Sequence, residues 1–534
     1  MAKDETKADS EESNRWWASA SFVGVLIIVG VPLWWKTTEV YRVALPFDKI
    51  SEFSSTPISI SSQLTILADD KETAAEVAKG IHTTFKDGLI NLTIHERVLP
   101  EDQYREIHSA DEIGAVKVVS DSFPTQEHDH MYLVQKKTMS QDVWLSTERV
   151  ILFRDLKALK SITAVLDRWV YQTSVLVGSV ATSEADSSRR TRFPSGADYH
   201  IVISVVHPKP DVLEVDLDAG DAVEDYIGSF VDELSVLHNF TLKSQWLHLL
   251  EFDFQAKQVK DTSEWGRHFS VSPDRLPQLV TKLETRVATH VSRHPTLNLA
   301  LYLQPCKVAP LVIYKDKPSS APTQAFMSAK WGGVVIVNPS YEECKEELEG
   351  RSKVTKYRPN VRTIMGTFLA QLRELLGIVK HGSIPGAVLA PLRSVSPRRW
   401  ELDSLLRLRT LSQLSSARLT LTSLAQLLGE ISNIVINDEV GASIKSAVEH
   451  SALATHLLAR GRLAEAYTHS QTAHLAAEAA FMDPTLLALL YFPDDQKYAI
   501  YIPLFLPVMF PVVLSLKNLG LWSKSTPETK LKAD

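Results

Sequence analysis

Two uncharged apolar segments, residues 16–35 and 498–516, lie near the ends of this 534-residue chain. Each has about the 20 residues that a helix needs to cross the roughly 30 Å hydrocarbon layer of a membrane. Most ionisable residues lie between them, in a segment that reads as water-soluble. We therefore predict two transmembrane helices, with both termini on one side of the membrane and residues 36–497 forming one large domain on the other.

The first apolar segment has two interpretations, an uncleaved signal anchor or the core of a cleaved signal peptide. The segment ends in Pro32, Leu33, Trp34 and Trp35, and Lys36 follows it. A signal peptidase site requires small residues at this point. The sequence therefore favours an uncleaved anchor.

The second apolar segment contains Pro503, Pro507 and Pro511, at a spacing of four residues. Prolines inside a helix leave carbonyl groups without donors unless neighbouring helices or local adjustments satisfy them. We expect this span to lie beside partner helices. A kinked solitary anchor is the alternative.

The orientation follows mainly from the C-terminal tail, residues 517–534. The tail carries an excess of lysines, at Lys517, Lys524, Lys530 and Lys532. Lys and Arg favour the cytosolic side, whereas the charges that flank the first span are balanced and do not decide. The last five residues also fit the K-x-K-x-x retrieval address of the endoplasmic reticulum, a pattern that a lysine-rich tail can produce by chance. We predict cytosolic termini, at residues 1–15 and 517–534, and a lumenal domain.

The charge and the sequons fit a lumenal domain. The formal net charge is −7 and no basic run interleaved with aromatic residues occurs, which argues against nucleic-acid binding. Asn91 and Asn239 each begin an N-x-T sequon, whereas the sequon at Asn338 is blocked by Pro339. We predict glycosylation at Asn239 and Asn91, with Asn91 the weaker candidate because its segment reads as a strand.

The chain has only two cysteines, Cys306 and Cys344. Two cysteines do not make a disulfide framework, so the domain must bury a hydrophobic core, and the sequence leaves open whether the two pair. Cys344 lies among five carboxylates that disfavour its thiolate, and Cys306 lies in an apolar stretch. Neither is predicted to be a nucleophile.

Residues 36–361 alternate between two hydrophobic periods. Period-two, strand-like patterns occur at residues 57–67, 89–94, 199–206, 246–254 and 297–303. Helical spacing occurs at residues 72–85, 156–180, 222–237 and 276–291. Alternating strands and helices predict an α/β fold in which a mixed sheet is flanked by helices.

Residues 362–497 are predicted to be helical, since Leu and Ala recur at spacings of three and four in 362–378, 400–434 and 441–481. The last stretch reads as a helical hairpin joined at Gly461. One hairpin is not a repeat array. The amphipathic segments 362–378 and 400–434 are candidate surfaces for partner proteins, and the alternative is that their apolar faces belong to the core.

Few residues of this sequence have the types and spacing that a catalytic or metal site requires. His128, Asp129 and His130, with Glu127 and His108 nearby, have ligand types for zinc, but no H-E-x-x-H or C-x-x-C motif accompanies them. The alternative is that these residues belong to a polar strand or loop and are simply exposed to solvent.

No G-x-S-x-G motif or Gly-rich phosphate loop occurs, and residues 331–333 (Trp-Gly-Gly) read as a turn entering a strand at 334–337. We predict no catalytic residue, metal or cofactor.

Three long segments resemble the PIG-S family, the class S subunits of the glycosylphosphatidylinositol (GPI) transamidase. They are GVPLWWKTTEVYR at 30–42, TLTSLAQLLGEISNIVI at 420–436 and LYFPDDQKYAIYIPLFL at 490–506. Residues 331–333 and 368–377 fit the same family, whereas residues 51–199 are less similar. The resemblance covers both apolar spans and most of the distal domain.

The resemblance implies a two-span protein of the endoplasmic reticulum membrane that is a non-catalytic structural subunit. It also implies that the nucleophile belongs to the partner PIG-K and that PIG-T, PIG-U and a GAA-type subunit are further partners. Two alternatives remain: a membrane-tethered lumenal hydrolase or transferase that uses His128 and His130, and a cargo or quality-control receptor recycled through its lysine tail.

Overall fold

The computed structural model describes residues 2–38, 41–86, 88–180, 198–252, 256–260, 266–287, 292–316, 319–321, 323–329, 331–351, 354–378, 380–431, 434–488 and 494–518. The chain forms two compact units. One comprises Met1–Ser55, Ala417–Glu449 and His474–Asp534, and the other comprises Thr56–Ser416 and His450–Ala473.

The strands within the described residues have the following bounds. They are β1 Ile60–Ala68, β2 Ile90–Val98, β3 His130–Gln135, β4 Val143–Leu145, β5 Val150–Phe153, β6 Asp198–His207, β7 Leu213–Val215, β8 Asn239–His248, β9 Lys257–Lys260, β10 Arg267–Val271, β11 Thr296–Leu303, β12 Leu311–Asp316, β13 Ser319–Ser320, β14 Ala325–Ser328, β15 Gly332–Val337, β16 Thr355–Tyr357 and β17 Ala387–Leu389.

The helices of the same residues are α1 Ala2–Val25, α2 Val31–Thr38, α3 Phe47–Ser55, α4 Lys71–Phe85, α5 Glu101–Ser109, α6 Glu112–Ser122, α7 Leu159–Val165, α8 Thr173–Val180, α9 Ala219–Val223, α10 Ser229–Glu233, α11 Leu276–Glu284, α12 Tyr341–Leu348, α13 Val361–Leu376, α14 Arg399–Glu430, α15 Asp438–Ala459, α16 Leu463–Phe481, α17 Pro484–Ala488 and α18 Asp494–Asn518. Short π-helical turns at Leu26–Gly30, Leu166–Tyr171 and Glu224–Gly228 join some of them.

The larger unit contains a six-stranded sheet in the order β17-β4-β5-β3-β1-β2. All neighbouring strands of this sheet pair in parallel, except that β4 is antiparallel to β5. The inner strands β3 and β5 are buried almost throughout, as expected for parallel strands with both faces covered. Residues of α5 and α6 join the buried cluster of this sheet, and α4 contacts β1 and β2.

A five-stranded sheet in the same unit has the order β14-β15-β11-β6-β8 and is parallel except for its edge strand β14. Its core packs around Ala300, Tyr302 and Ile336. Smaller sheets have the orders β13-β12-β10-β9 and β16-β7. The α/β prediction, with mixed sheets and flanking helices, is therefore confirmed.

The Trp-Gly-Gly segment is where β15 begins, as predicted, and both glycines are needed there. Gly332 has φ +149°, and a Cβ at this position would lie 1.8 Å from the carbonyl oxygen of Asn298. A Cβ on Gly333 would lie 2.1 Å from Oε1 of Gln371, on α13. The absence of side chains lets β11 and α13 approach β15 closely.

The predicted helical hairpin is also present. α15 and α16 are joined at Gly461, which has φ +74°, and its N–H donates to the carbonyl oxygen of Leu458. Nδ1 of His450 lies 2.8 Å from Nδ1 of His469, so the two helices also contact each other away from the turn.

Several predicted bounds were wrong. The strand expected at residues 246–254 is β8, which starts at Asn239 and ends at His248, because its pairing with β6 runs from Asp198 opposite Asn239. Leu249 then has φ +60° and ends the strand, and residues 253–254 lie outside the described part.

Two predicted helices are shorter than expected. The one at 156–180 is interrupted at Gln172, which has φ +50°. The one at 276–291 is observed as Leu276–Glu284, and residues 288–291 lie outside the described part.

The apolar ends of the chain belong to the smaller unit and both form helices. Trp16–Leu33 is long and apolar enough to cross a membrane, and among the described residues it is the one stretch that meets this test. The predicted second span lies within α18, which runs through Pro503, Pro507 and Pro511 and contacts α1.

Candidate functional site

The segment His128-Asp129-His130 lies at the start of β3, but its side chains diverge. Nδ1 of His128 lies 2.9 Å from Oδ1 of Asp403, on α14. Nε2 of His130 lies 2.8 Å from the hydroxyl oxygen of Thr65, on β1. Because these imidazoles point to different partners, they share no point at which a metal could be held. No cluster of three metal-ligating side chains occurs among the described residues.

Asp129 joins a buried ion cluster that the sequence did not predict. Its carboxylate pairs with Arg407 and accepts a hydrogen bond of 2.8 Å from the hydroxyl of Ser62. Beside it, Nη2 of Arg149 donates to Oδ1 of Asp403 at 2.8 Å. The four charged side chains, Asp129, Arg149, Asp403 and Arg407, are each at most 2% exposed.

The two carboxyls of the ion cluster have opposite pKa shifts. Burial raises the pKa of Asp129 to about 6, although Arg407 opposes the shift. Burial also disfavours ionised Asp403, but hydrogen bonds from Arg149 and His128 outweigh it and hold the pKa at about 2. Asp403 holds Arg149 through two hydrogen bonds, and Asp129 holds Arg407. The cluster therefore ties the start of α14 to β3 and β5, which is a structural role.

The cysteines are paired in the structure. Cys306 and Cys344 form a disulfide, with their Cα atoms 5.3 Å apart and both side chains buried. The bond joins the turn after β11 to α12. In this state neither sulfur is a thiolate.

Both sequons lie on edge strands of the larger unit. Asn91 is on β2, at the edge of the six-stranded sheet, and Asn239 begins β8, at the edge of the five-stranded sheet. Both side chains are exposed, and Nδ2 of Asn239 donates to Asp198 at 3.0 Å. Asn91 is therefore not buried by its strand, which was the reason for expecting less glycosylation there.

The apolar faces of α13 and of the first half of α14 lie in the core. Ile364, Phe368 and Leu372 on α13 are at most 2% exposed. Trp400 on α14 is fully buried, and its indole N–H donates to the carbonyl oxygen of Ser146. The interpretation of these faces as partner surfaces is wrong, and the alternative that they belong to the core is confirmed.

The polar face of α13 instead lines a cleft of about 1080 Å³. At its base, the buried carboxylate of Glu401 accepts hydrogen bonds of 2.8 Å from Arg373 and 2.9 Å from Arg398. His381 Nε2 lies 3.4 Å from the same group. Burial opposes ionisation of Glu401, but His381 and the two arginines lower its pKa to about 2.

The cleft was not found from the sequence. The available signal was Arg362, Gly366 and Arg373 at spacings of four and seven, which places them on one helical face. The rest of the cleft lining comes largely from residues 387–401. The sequence pattern alone does not show that these residues lie next to α13.

Comparison with known proteins shows similarity along nearly the whole chain. Residues 21–524 match the family PIG-S, described as phosphatidylinositol-glycan biosynthesis class S protein. A Bos taurus protein named GPI-anchor transamidase component PIGS is 31% identical over 97% of both chains. Its Rattus norvegicus counterpart is 32% identical over 94% of both. The GPI transamidase component PIG-S homolog of Schizosaccharomyces pombe is 24% identical over 93% of this chain and 82% of the relative.

Proposed function

The chain belongs to the PIG-S family, and on this premise we propose that it is a non-catalytic subunit of the GPI transamidase. In this role it supports the attachment of GPI anchors to precursor proteins in the endoplasmic reticulum. The observation that carries the proposal is the family match over residues 21–524, together with relatives that are named as transamidase components over almost their full length.

The non-catalytic part of the proposal is supported by the candidate nucleophiles and bases. Cys306 and Cys344 are consumed in a disulfide. His128 lies against the carboxylate of Asp403. His130 lies 2.8 Å from the hydroxyl of Thr65, but Thr65 is only 3% exposed inside β1, so this hydroxyl is not accessible to a substrate. We propose that the nucleophile is supplied by PIG-K.

The proposed topology is a two-pass protein of the endoplasmic reticulum membrane with cytosolic termini, at residues 1–15 and 517–534. Trp16–Leu33 would form most of the first span, within residues 16–35, and residues 498–516 the second. The lumenal part would comprise an α/β region, residues 36–361, and a mostly helical region, residues 362–497. The second region was predicted to be helical throughout, but its strand β17 pairs with β4 in the six-stranded sheet. Supporting this, a disulfide is typical of an oxidising compartment, and both sequons are exposed.

We propose that PIG-K, PIG-T, PIG-U and a GAA-type subunit are the partners. The mechanism would be structural: the lumenal region positions the lumenal parts of the partners, and the two spans frame the membrane side of the site. No apolar face of α13 is free for this purpose, so we assign the contacts to polar lumenal surfaces and to the membrane helices.

Affinity purification combined with complementation tests this function. The tagged chain is expressed in cells that lack their own PIG-S, and the co-purifying chains are identified by mass spectrometry. We expect the four partners to co-purify and a GPI-anchored reporter to return to the cell surface. Recovery of the chain without transamidase subunits and without reporter display would refute the proposal.

A single variant distinguishes the proposed non-catalytic subunit from the alternative, a hydrolase that uses His130 as a base. His130→Asn keeps a polar side chain beside Thr65 but cannot act as a base at neutral pH. We expect reporter display to be unchanged by this variant. Full assembly with no display would instead support catalysis by His130.

A further inference from the structure

The cleft beside α13 is a built, positively charged site. Five Arg or Lys side chains and three carboxylates line it, in a chain whose net charge is −7. Arg362, Gly366 and Arg373 form the α13 wall, and the segment after β17 supplies Arg393 opposite. A cationic cleft on an acidic protein attracts anions.

The charges at the base of the cleft are not balanced. Arg373 and Arg398 share the single carboxylate of Glu401. Arg398 and His381 have side chains that are 8% and 7% exposed. Within the described part of the chain, Nη1 of Arg373, Nε of Arg398 and Nδ1 of His381 are buried without a hydrogen-bond partner. The N–H groups of Arg373 and Arg398 are buried donors without an acceptor, which is costly, so the base of the cleft favours a further acceptor.

Two cations at the rim are uncommitted. Arg362 and Arg393 are both exposed, and neither forms an ion pair with a carboxylate of the described residues. Lys380, by contrast, pairs with Glu374 at 3.4 Å. The rim arginines stand on different elements that line the same cleft.

Part of the cleft lining is apolar. Leu369, Leu389 and Leu392 contribute to it beside the arginines. Above Gly366 the space is open, since a Cβ at this position would have no neighbouring atom within 4 Å. The volume of about 1080 Å³ is far larger than a free inorganic ion needs and suits a ligand with an apolar portion.

We propose that this cleft binds a phosphate monoester carried on a partly apolar molecule, as in the terminal phosphate of a lipid head group. A phosphate monoester presents three acceptor oxygens in a tetrahedral arrangement, which suits donors on several elements, whereas a carboxylate presents two in one plane. Guanidinium groups match phosphate geometry with paired N–H donors. The apolar part of the cleft lining, Leu369, Leu389 and Leu392, would contact the carbon atoms next to the phosphate.

The binding test uses the full-length chain in a neutral, phosphate-free detergent. Isothermal titration calorimetry compares three probes: dihexanoyl phosphatidic acid below its micellar concentration, glycerol 3-phosphate, and a peptide of alternating Glu and Leu. We expect both esters to bind, with dihexanoyl phosphatidic acid the tighter. Equal affinity for the two esters would refute the claim that the apolar part of the cleft contributes to binding. Tighter binding of the peptide, or no binding of either ester, would overturn the phosphate assignment.

Two variants locate the binding in the cleft. Arg362→Ala combined with Arg393→Ala removes exposed side chains and should weaken both esters by about tenfold or more, because each loses charge-assisted hydrogen bonds. The matched control is Arg286→Ala with Arg293→Ala, an exposed pair outside the cleft lining. An equal loss of ester affinity in both double variants would mean that only the net charge of the protein matters, and would refute the assignment of binding to this cleft.

Gly366→Leu fills the open space on α13 without removing a charge. We expect it to weaken dihexanoyl phosphatidic acid while leaving glycerol 3-phosphate unchanged and the unfolding temperature no lower than that of the wild type. Unchanged affinity for both esters would place binding outside the cleft. This ligand binding goes beyond the proposed subunit role and is measured on the chain alone, so its failure leaves that role intact.

Discussion

Arg149 and Asp403 are separated by 254 residues in the chain, yet they form a bidentate pair with both side chains at most 2% exposed. The pair joins the residue before β5 to the first turns of α14. Arg149 Nη1 also donates to the carbonyl oxygens of Thr125 and Gln126, both at 3.1 Å. One guanidinium thus organises the loop before β3 as well as the attachment of α14.

Replacing Asp403 by Ala should destabilise the larger unit by about 3–5 kcal/mol, since it leaves the buried charge of Arg149 uncompensated. Urea unfolding of the full-length chain, followed by tryptophan fluorescence, measures the change. Glu101→Ala is the matched control, because its pair with Arg105 is about three-quarters exposed, and it should leave the unfolding midpoint unchanged. Similar midpoints for the two variants would contradict the structural role of the ion cluster.

The elements that sequence analysis found are those with clear periodicity. The alternation at residues 57–67 predicted β1, and helical spacing at 72–85 predicted α4, whose first turn is capped by Asp70. β3 and β5 were missed because each is a short run buried on both faces, with no alternation to detect. The short buried strand β15 was predicted only because the Trp-Gly-Gly turn precedes it.

The ion cluster and the cleft could not be predicted for a different reason. Arg407 reads as one more charge on a Leu-rich helix, and only the fold brings Asp129 to it across 278 residues. The pairing of Cys306 with Cys344 was likewise left open, because spacing alone does not determine whether two cysteines meet. By contrast, the resemblance to a family identified the protein class from three segments of the sequence.

Glu401 should make stability depend on acid pH. Its pKa in the folded chain is about 2, below its ordinary value of 4.5, so its ionised form is stabilised by folding. This contribution is fully present above pH 4.5 and is lost as the pH falls towards 2, a total of about 3 kcal/mol. We therefore expect the cost of Glu401→Gln, relative to wild type, to shrink by about 2 kcal/mol between pH 6 and pH 3.

The measurement is urea unfolding of both proteins at several pH values in that interval. Glu342→Gln, which changes an exposed carboxyl on α12, serves as the control and should show no such trend. A cost of Glu401→Gln that is the same at pH 6 and pH 3 would mean that His381, Arg373 and Arg398 do not hold the carboxylate ionised.

Asn239 and Asn91 should both carry N-glycans. Each side chain is exposed on an edge strand, so a glycan can be accommodated without displacing core residues. Asn239→Gln and Asn91→Gln should each remove one step of the mobility shift that endoglycosidase treatment produces, whereas Asn338→Gln should have no effect because Pro339 blocks its sequon. If the wild-type chain shows no shift at all, the proposed lumenal location is contradicted.

The disulfide should matter for stability and not for chemistry. Replacing Cys306 and Cys344 together by Ala opens a loop with a sequence separation of 38 and should lower the free energy of unfolding by about 2–4 kcal/mol. Surface display of a GPI-anchored reporter, divided by the amount of assembled subunit, should be unchanged. Lost display at a normal level of assembled subunit would instead assign a catalytic role to one of the cysteines.

The last prediction concerns the proline-containing helix α18. Pro503, Pro507 and Pro511 are exposed, and their four-residue spacing places them on one face of α18. Each proline lacks the N–H that would bond a carbonyl oxygen one turn earlier. Since α18 also contacts α1, we expect this proline face to be the one that packs against helices of other subunits. Replacing residues 498–516 by a Leu and Ala span keeps the apolarity that drives insertion but removes this face.

We expect the replaced chain to insert with unchanged glycosylation, to co-purify poorly with the other transamidase subunits and to lower surface display of GPI-anchored proteins. The narrower variant Pro503→Ala, Pro507→Ala, Pro511→Ala should have the same effect, whereas Ile500→Leu with Val513→Leu, which changes exposed apolar residues of the same helix, should have none. Normal recovery of every subunit with the proline variant would show that α18 is an interchangeable anchor, because the freed carbonyls would then have no partner to lose.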